Sequence, residues 1–383
     1  MVMRICFLIW STSISGGTKI EFELAKLFAT RGHEVVLLCL GSKRHGWFDF
    51  GNVKDRIRFL YIEPDIYIPF IGRISIHGII DNVRKLLKIP YEPNRIRYLA
   101  ERIPVGCNIY VATYFPSAIA LYLSSAKGKK VYFVQDFPEL VLENEGLYGL
   151  KLFEFSLRLP FDAFICNSNY TKKVVMKVNS EARFFVGGIG IDTSIYNPFG
   201  DRMAHKPRNR FVAMAIIRRQ KFKGSEIAVK ALNILAKKMP IHALLVVEDL
   251  DIFKRLKPEF SFIMYRNVPE RLMAKLYRSA DLFIFSSYAE SLGLPPLEAM
   301  ACGTPVVMTD AKGTRDYAIN NYNAIVVKPG DPRAIAEAAC QVLTDEVLRG
   351  KLIEGGLETA KKRAWNVTFP SIERFFYKLL GST

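Results

Sequence analysis

Residues 289–303 read AESLGLPPLEAMACG and set two carboxylates, Glu290 and Glu298, on either side of a proline-containing turn. The apolar run 282–285 just before them reads as a strand. That puts Glu290 in a loop at a strand's carboxyl end, where open parallel sheets bind ligands. Glu298 falls in a helix expected to begin near Pro295 or Pro296, since proline suits a first helical turn. The backbone N–H groups of Gly293 and Leu294, close to that helix start, suit an anion. On spacing alone, two glutamates flanking a cleft and two ordinary surface charges fit equally well.

A second group is cationic. Arg218, Arg219, Lys221 and Lys223 precede Gly224 and follow the apolar run 210–216. Four cations at a strand end repel one another unless solvent screens them or an anion sits among them. A diphosphate is a natural partner, because arginine offers forked donors and lysine a mobile point charge. A third group is the small-residue loop 11–18, where Gly16 and Gly17 precede a helix and leave backbone N–H groups open to a phosphate or sugar. The chain has neither a GxGxxG nor a GxxxxGK[ST] signature, so the dehydrogenase and P-loop classes lose their main support.

The elements that must position these groups alternate strand and helix. Residues 4–10 form a buried strand, 19–30 a helix with Ile20, Leu24, Leu27 and Phe28 on its apolar positions, and 34–40 a second strand. Strand–helix–strand at this spacing requires parallel pairing, hence a doubly wound α/β domain. Further strands are expected at 109–112, 130–135 and 163–167. After a Gly-, Asn- and Pro-rich boundary over 186–207, a second series follows at 210–216, 244–247, 262–264, 282–285, 306–308 and 324–327. A helix runs over 225–237, Asp331 caps another that reaches about residue 343, and 369–380 forms a last packed helix. Residues 60–105 show no clean period. Two similar α/β halves without an antiparallel signature predict a bilobal enzyme with a cleft.

Composition narrows the class. A chain of 383 residues, half of them apolar, has material for two cores. Six cysteines and five histidines are scattered without a CxxC or Cys/His cluster, so neither a disulfide framework nor a metal site is expected, and a cytoplasmic, reduced protein is. No uncharged apolar stretch is long enough to span a bilayer. The formal charge of +17 is spread along the chain. It suits an anionic substrate or membrane surface, whereas no basic tail or nucleic-acid-binding motif accompanies it.

At residues 286–306, SSYAESLGLPPLEAMACGTPV resembles the hallmark of the group-1, or family 4, retaining glycosyltransferases of GT-B fold, in which two glutamates are separated by seven residues. The likeness extends to Arg218 and Lys223 as the family's Arg–Lys pair, to Gly190-Ile191-Asp192 with Tyr196 and Pro198, and to Gly330-Asp331-Pro332. It is clear over 205–345 and looser over 1–40 and 130–200. The resemblance implies two Rossmann-like parallel-sheet domains. Residues 1–188 would form the acceptor-binding domain, 189–207 a linker, and 208–365 the domain that binds the nucleotide-sugar donor. Residues 366–383 would be a helix packed back on the first domain. It further implies that Glu298 holds the donor ribose, that Glu290, Gly293 and Leu294 face the donor sugar, and that Arg218 and Lys223 neutralise the diphosphate. Gly16 and Gly17 would close over the sugar and diphosphate from the other lobe. No metal or other cofactor is expected.

The chain departs from that pattern in places. Ile217 stands where a glycine is usual, Ser291 and Leu292 replace a glycine and an aromatic, and in Lys312-Gly313-Thr314-Arg315-Asp316 the carboxylate falls to Asp316. The first domain lacks the histidine common after its central strand and has Gln135 and Asp136 there instead. With residues 111–116, VATYFP, this variant resembles bacterial rhamnosyltransferases of surface-polysaccharide assembly, which implies a deoxysugar donor. Asp136 could orient an acceptor hydroxyl, and Gln135 could hydrogen-bond substrate without titrating. The alternatives are another nucleotide-sugar enzyme of epimerase or phosphorylase type, a basic nucleic-acid-binding protein, and a nonenzymatic scaffold. The preferred reading is transfer of a sugar to a glycan or lipid-linked acceptor. Apolar and basic residues mix over 66–102, where 74–89 could form an amphipathic helix on an anionic membrane at the cytoplasmic face.

Overall fold

The computed structural model describes residues 1–12, 15–40, 46–62, 65–68, 72–75, 93–203 and 209–381, with the backbone alone at 65–68, 72–75 and 93–94. The chain divides into two compact units, Met1–Gly188 with Phe369–Thr383, and Ile189–Thr368.

The first unit starts with β1 (Arg4–Ile9), α1 (Gly16–Thr30), β2 (Glu34–Cys39) and β3 (Ile57–Tyr61). It continues with β4 (Asp65–Ile68), β5 (Gly72–Ser75), α2 (Pro93–Ala100), β6 (Ile109–Ala112), α3 (Phe115–Leu123) and β7 (Lys129–Val134). α4 (Pro138–Leu157), β8 (Ala163–Cys166), α5 (Asn169–Met176) and β9 (Phe184–Val186) complete the series. Among the described residues seven strands form one parallel sheet in the order β3-β2-β1-β6-β7-β8-β9. Central strands are apolar on both faces because helices cover both, which is why RICFLI and EVVLLC are buried almost end to end.

The second unit carries β10 (Phe211–Ile217), α6 (Ser225–Lys238), β11 (Ile241–Val247), α7 (Leu250–Arg255), β12 (Ser261–Tyr265), α8 (Glu270–Ser279) and β13 (Leu282–Phe285). After these come α9 (Leu294–Ala301), β14 (Val306–Thr309), β15 (Ile325–Val327), α10 (Pro332–Thr344) and α11 (Glu346–Lys362). Its described strands form a six-stranded parallel sheet, β12-β11-β10-β13-β14-β15. The last helix, α12 (Trp365–Leu379), begins in this unit and from Phe369 belongs to the first. Phe369 and Phe376 there pack on Phe28 of α1, with ring centroids 4.8 and 5.1 Å away.

Both sheets reverse strand order once, between β1 and β6 and between β10 and β13. Chains leaving those two strands diverge to opposite faces of the sheet and open a crevice at their carboxyl ends, the usual ligand position of a doubly wound fold. Two expectations are corrected. β4 and β5 pair antiparallel, so the chain does contain an antiparallel hairpin, in the region without a clean period. α1 buries Glu21 and Glu23 as well as its apolar positions, while Leu27 is only half-buried. The amphipathic helix expected over 74–89 lies outside the described residues, apart from the last two positions of β5. Among the described residues no helix is long and apolar enough to cross a membrane.

Candidate active site

The second unit's site is built where β10 and β13 end. After β10 the chain makes a short 3-10 turn, Lys221–Lys223, closed by Gly224 at φ 63°. The hydroxyl of Ser286, the first residue past β13, donates to the Gly224 carbonyl at 2.8 Å. A Cβ at position 224 would drive into the Ser286 carbonyl oxygen. Only glycine therefore lets the basic turn lie against the end of β13, and that close approach brings the cation and carboxylate groups together.

Lys223 Nζ donates to both oxygens of Glu290, each at 2.9 Å, and Ser287 Oγ donates to Glu290 Oε1 at 2.8 Å. The lysine and glutamate side chains are 19% and 9% exposed. Burial pulls the Lys223 ammonium below the ordinary lysine value, Glu290 draws it back up, and the nearby Arg218 guanidinium lowers it again. Here the four-cation cluster divides. Arg218 and Lys223 share the site. Arg219 instead points to Asp249 at 3.9 Å, and Lys221 is exposed.

Glu290 is held at both ends of its peptide by the loop after β14. Its N–H donates to Ala311 O at 3.0 Å and its carbonyl accepts from Gly313 N at 3.1 Å. Gly313 tolerates no Cβ, which would meet the carbonyls of Glu290 and Ser291. Lys312 beside it has φ 60° and ψ −77°, a strained conformation for a residue with a side chain. Asp316, expected to supply a carboxylate, is half-buried, and its carbonyl accepts from Arg363 at 2.7 Å.

α9 starts at Leu294, with Gly293 at φ 82° before it. Pro295 and Pro296 have no N–H, so the Leu294 amide is the donor left free to serve a ligand in the opening positions of this helix. The Gly293 carbonyl accepts from Tyr317 OH at 2.6 Å. Glu298, one turn on, is buried and takes the Tyr277 hydroxyl on Oε2 at 3.3 Å. Tyr196 reaches the same carboxylate. Burial, and then the Glu298 charge, keep both phenols neutral and donating. Tyr317 ties the pair together: burial raises its hydroxyl, and the charges of Glu290 and Glu298 both act on it.

Sequence reasoning missed Tyr277, Ser287 and Tyr317. Nothing in the sequence separates them from core or loop residues, because their contacts arise between elements far apart in the chain. Tyr277, for instance, sits on the buried face of α8 like any apolar residue.

In the first unit Ser15 caps α1, its hydroxyl accepting from Thr18 N at 3.1 Å, which leaves the amides of Gly16 and Gly17 outside the intrahelical ladder. Gly17 lies over Gln135 at the end of β7: a Cβ there would be 3.7 Å from the amide nitrogen and oxygen of that side chain. Asp136 follows Gln135 just past β7. It is buried, and its Oδ2 accepts from Phe115 N at 3.2 Å and Tyr132 OH at 3.4 Å. Burial pushes this carboxyl up to about 8. It ties the start of α3 to β7. Among the described residues no group of three or more His, Cys, Asp or Glu side chains could hold a metal ion.

Residues 202–359 match the family of group 1 glycosyl transferases. D-inositol 3-phosphate glycosyltransferase of Corynebacterium glutamicum is 26% identical over 220 residues, 51% of each chain. The chain thus spans about half the length of the curated relative it matches there. An uncharacterized glycosyltransferase of Methanocaldococcus jannaschii is 23% identical over 362 residues, covering 82% of this chain and 97% of that one. Among solved structures, sucrose-phosphate synthase of Thermosynechococcus elongatus superposes with a TM-score of 0.77 at 16% identity, covering all of both chains. HepE of Anabaena in complex with UDP-glucose has a TM-score of 0.69 at 18% identity, covering 98% of this chain and 100% of that one. These structural likenesses establish the GT-B architecture of two Rossmann-like parallel-sheet domains.

Proposed function

We infer that this chain, a group 1 glycosyl transferase by its residues 202–359 and GT-B in fold, moves a sugar from a nucleoside-diphosphate sugar to a hydroxyl of a glycan or lipid-linked acceptor with retention at the anomeric carbon. The observation that carries this reading is Lys223 gripped by both oxygens of Glu290 beside Arg218, at the crevice where β10 and β13 part. Two cations held there are suited to the charge that develops on a departing diphosphate. When the diphosphate arrives, Lys223 can turn from the carboxylate to phosphate oxygens, leaving Glu290 to accept from hydroxyls of the donor sugar.

Glu298 and its tyrosine donors lie at the other end of α9's first turn, a rigid acceptor pair suited to the two ribose hydroxyls. The Leu294 amide, with that of Gly293, is suited to the sugar between them. In the first unit, Gly16 and Gly17 offer backbone amides to the same class of ligand. Asp136 fixes the loop after β6 instead of touching substrate. The structure of HepE holds UDP-glucose, a donor of the class proposed here.

The direct test is a screen of nucleoside-diphosphate sugars, deoxysugar donors included, against short glycan and lipid-linked acceptors, with the anomeric configuration of the product read by NMR. Retention and transfer undiminished by EDTA are expected. An inverted product, or loss of transfer on chelation that added metal restores, would overturn those parts of the reading. Docking at the cytoplasmic face of an anionic membrane is part of the proposal. It is tested by flotation with anionic liposomes at low and high salt.

A further inference from the structure

A second carboxyl group lies buried at the carboxyl ends of the first unit's strands, on α1, where the apolar periodicity gave it no purpose. Glu21 Oε1 accepts from Gln135 Nε2 at 3.0 Å. Its carboxyl also meets the hydroxyl of Thr113, the residue after β6. Thr113 Oγ1 already donates its one hydrogen to Leu8 O at 2.9 Å, so toward Glu21 it can only accept. With the hydroxyl hydrogen on Leu8 O, the hydrogen of this contact comes from Glu21, an arrangement that suits the protonated acid. Burial is the largest influence on Glu21 and Asp136 adds to it, while the contacts with Thr113 and Gln135 draw the carboxyl back down, and the balance puts it up at about 8.

The result is a directed chain of bonds. The acid donates to Thr113, Thr113 donates to the β1 carbonyl, and the remaining Glu21 oxygen accepts from the Gln135 amide nitrogen. The Gln135 carbonyl oxygen takes no part in this chain. It is buried, Gln135 being 9% exposed, and it has no hydrogen-bond partner among the described residues. An acceptor in that state costs free energy unless a ligand donates to it. Gly17, packed over the same amide, lacks the side chain that would cover it.

We propose that Glu21 is a positioning residue of the transfer reaction, holding the Gln135 carbonyl oxygen as the acceptor for one sugar hydroxyl beside the Gly16–Gly17 turn. This rests on the transferase reading above. Glu21 does not touch the sugar; it prevents the Gln135 amide from turning its N–H groups outward.

The test compares Glu21→Gln, Glu21→Met, Gln135→Leu and the Glu21→Met/Gln135→Leu double variant in the full chain, with KM measured separately for donor and acceptor. Glu21→Met, similar in volume, should raise the KM of whichever substrate brings the hydroxyl by roughly tenfold, the size of one lost hydrogen bond. Gln135→Leu should do the same for the same substrate. The double variant should be no worse than Gln135→Leu, because the first residue acts through the second. Glu21→Gln, which reproduces the protonated acid's bonds at any pH, should restore the wild-type KM.

The groups facing Glu21 are Gln135 and Asp136 after β7, Thr113 after β6 and the Cys39 thiol at the end of β2, which burial keeps neutral. Asp136 titrates in the same range, so the pH arm sets Glu21→Gln beside Asp136→Asn. Folded Glu21 keeps its proton to about 8 while the unfolded chain releases it near 4.5. Wild type should therefore lose melting temperature relative to Glu21→Gln as pH rises through that window. A constant difference across it would overturn the neutral acid. Additive losses in the double variant, or Gln135→Leu with unchanged kinetics, would overturn the positioning role while the transferase reading stands. Absence of transfer by the wild type with every donor would overturn the transferase reading, and the melting comparison would still report on the acid.

Discussion

Lys223 is the residue on which most of the proposed chemistry converges, and its substitution must be read with Glu290 in mind. Lys223→Ala removes a cation and strands a buried carboxylate, whereas Lys223→Gln keeps a donor for Glu290 and removes only the charge. Both should slow transfer by roughly a hundredfold to a thousandfold, about 3–4 kcal/mol of barrier, with the Gln variant keeping near wild-type melting. Transfer at wild-type rate by folded Lys223→Gln would exclude a role in leaving-group stabilisation. Because burial lowers the free-site ammonium below the ordinary 10.5, kcat/KM should fall on an alkaline limb below that value. A bound diphosphate adds negative charge and raises the ammonium again, so the limb in kcat should lie at higher pH. Coincident limbs would mean that Lys223 does not meet the diphosphate. Glu298→Ala should weaken binding of the nucleoside diphosphate, whereas Glu290→Ala should chiefly lower turnover. Titration calorimetry with the product tests this, and equal losses of affinity would remove the division of roles. Glu290, Glu298, Arg218 and Lys223 were all legible from their motifs. Glu21 was not, since an acid among apolar helix positions reads as a solvated residue until the neighbouring strands are placed.

At the scale of elements, the site depends on turns that only glycine can make. Gly224 has φ 63°, and a Cβ there would collide with the Ser286 carbonyl oxygen, a rigid backbone atom of the adjacent strand end. Gly224→Ala should cost on the order of 2 kcal/mol from the left-handed backbone alone, and more from the collision. The larger effect should be on KM for the donor, because the turn carrying Lys223 must move away from Glu290. Gly350→Ala is the control, since nothing within 4 Å would meet its Cβ and its φ is ordinary. Equal consequences from both changes would show that the close approach of the 3-10 turn to β13 is not needed. Most element centres were readable from periodicity, as at 109–112 and 282–285, where strands lie on the expected residues. α4 and the β4–β5 hairpin were not, because their patterns mix aromatic, basic and acidic residues without one dominant period.

For the whole molecule, the two units rest on separate cores, and the chain's last helix contributes to the first of them. Phe376 is 1% exposed and stacks on Phe28 with an interplanar angle of 9°. Glu373 on the same helix accepts from His33 Nε2 at 3.1 Å, because His33 Nδ1 already accepts from Met3 N. Phe376→Ala should destabilise the first unit by about 3–5 kcal/mol. Scanning calorimetry should show one transition moving down and the second unit's transition staying in place. A shift confined to the second unit's transition would mean that the tail's apolar face does not support the first core.

The sequence by itself determined the two parallel α/β series, the position of the paired carboxylates and the Arg–Lys pair. These follow from short-range patterns: apolar runs long enough for buried strands, helical spacing between them, and a motif contiguous in the chain. Tertiary structure decided which cations reach the site and which leave it, since Arg218 and Arg219 are adjacent in sequence yet Arg218 lies near Lys223 whereas Arg219 reaches Asp249. It also placed Tyr277, Tyr196 and Tyr317 around the glutamates and turned Asp136 inward. Glu21 became a neutral acid only because β6 and β7 bring Thr113 and Gln135 to it from far along the chain. The physical reason is common to all of them. Periodicity encodes which face of an element is buried, whereas a hydrogen bond or a protonation state depends on which atoms of distant strands arrive within about 3 Å.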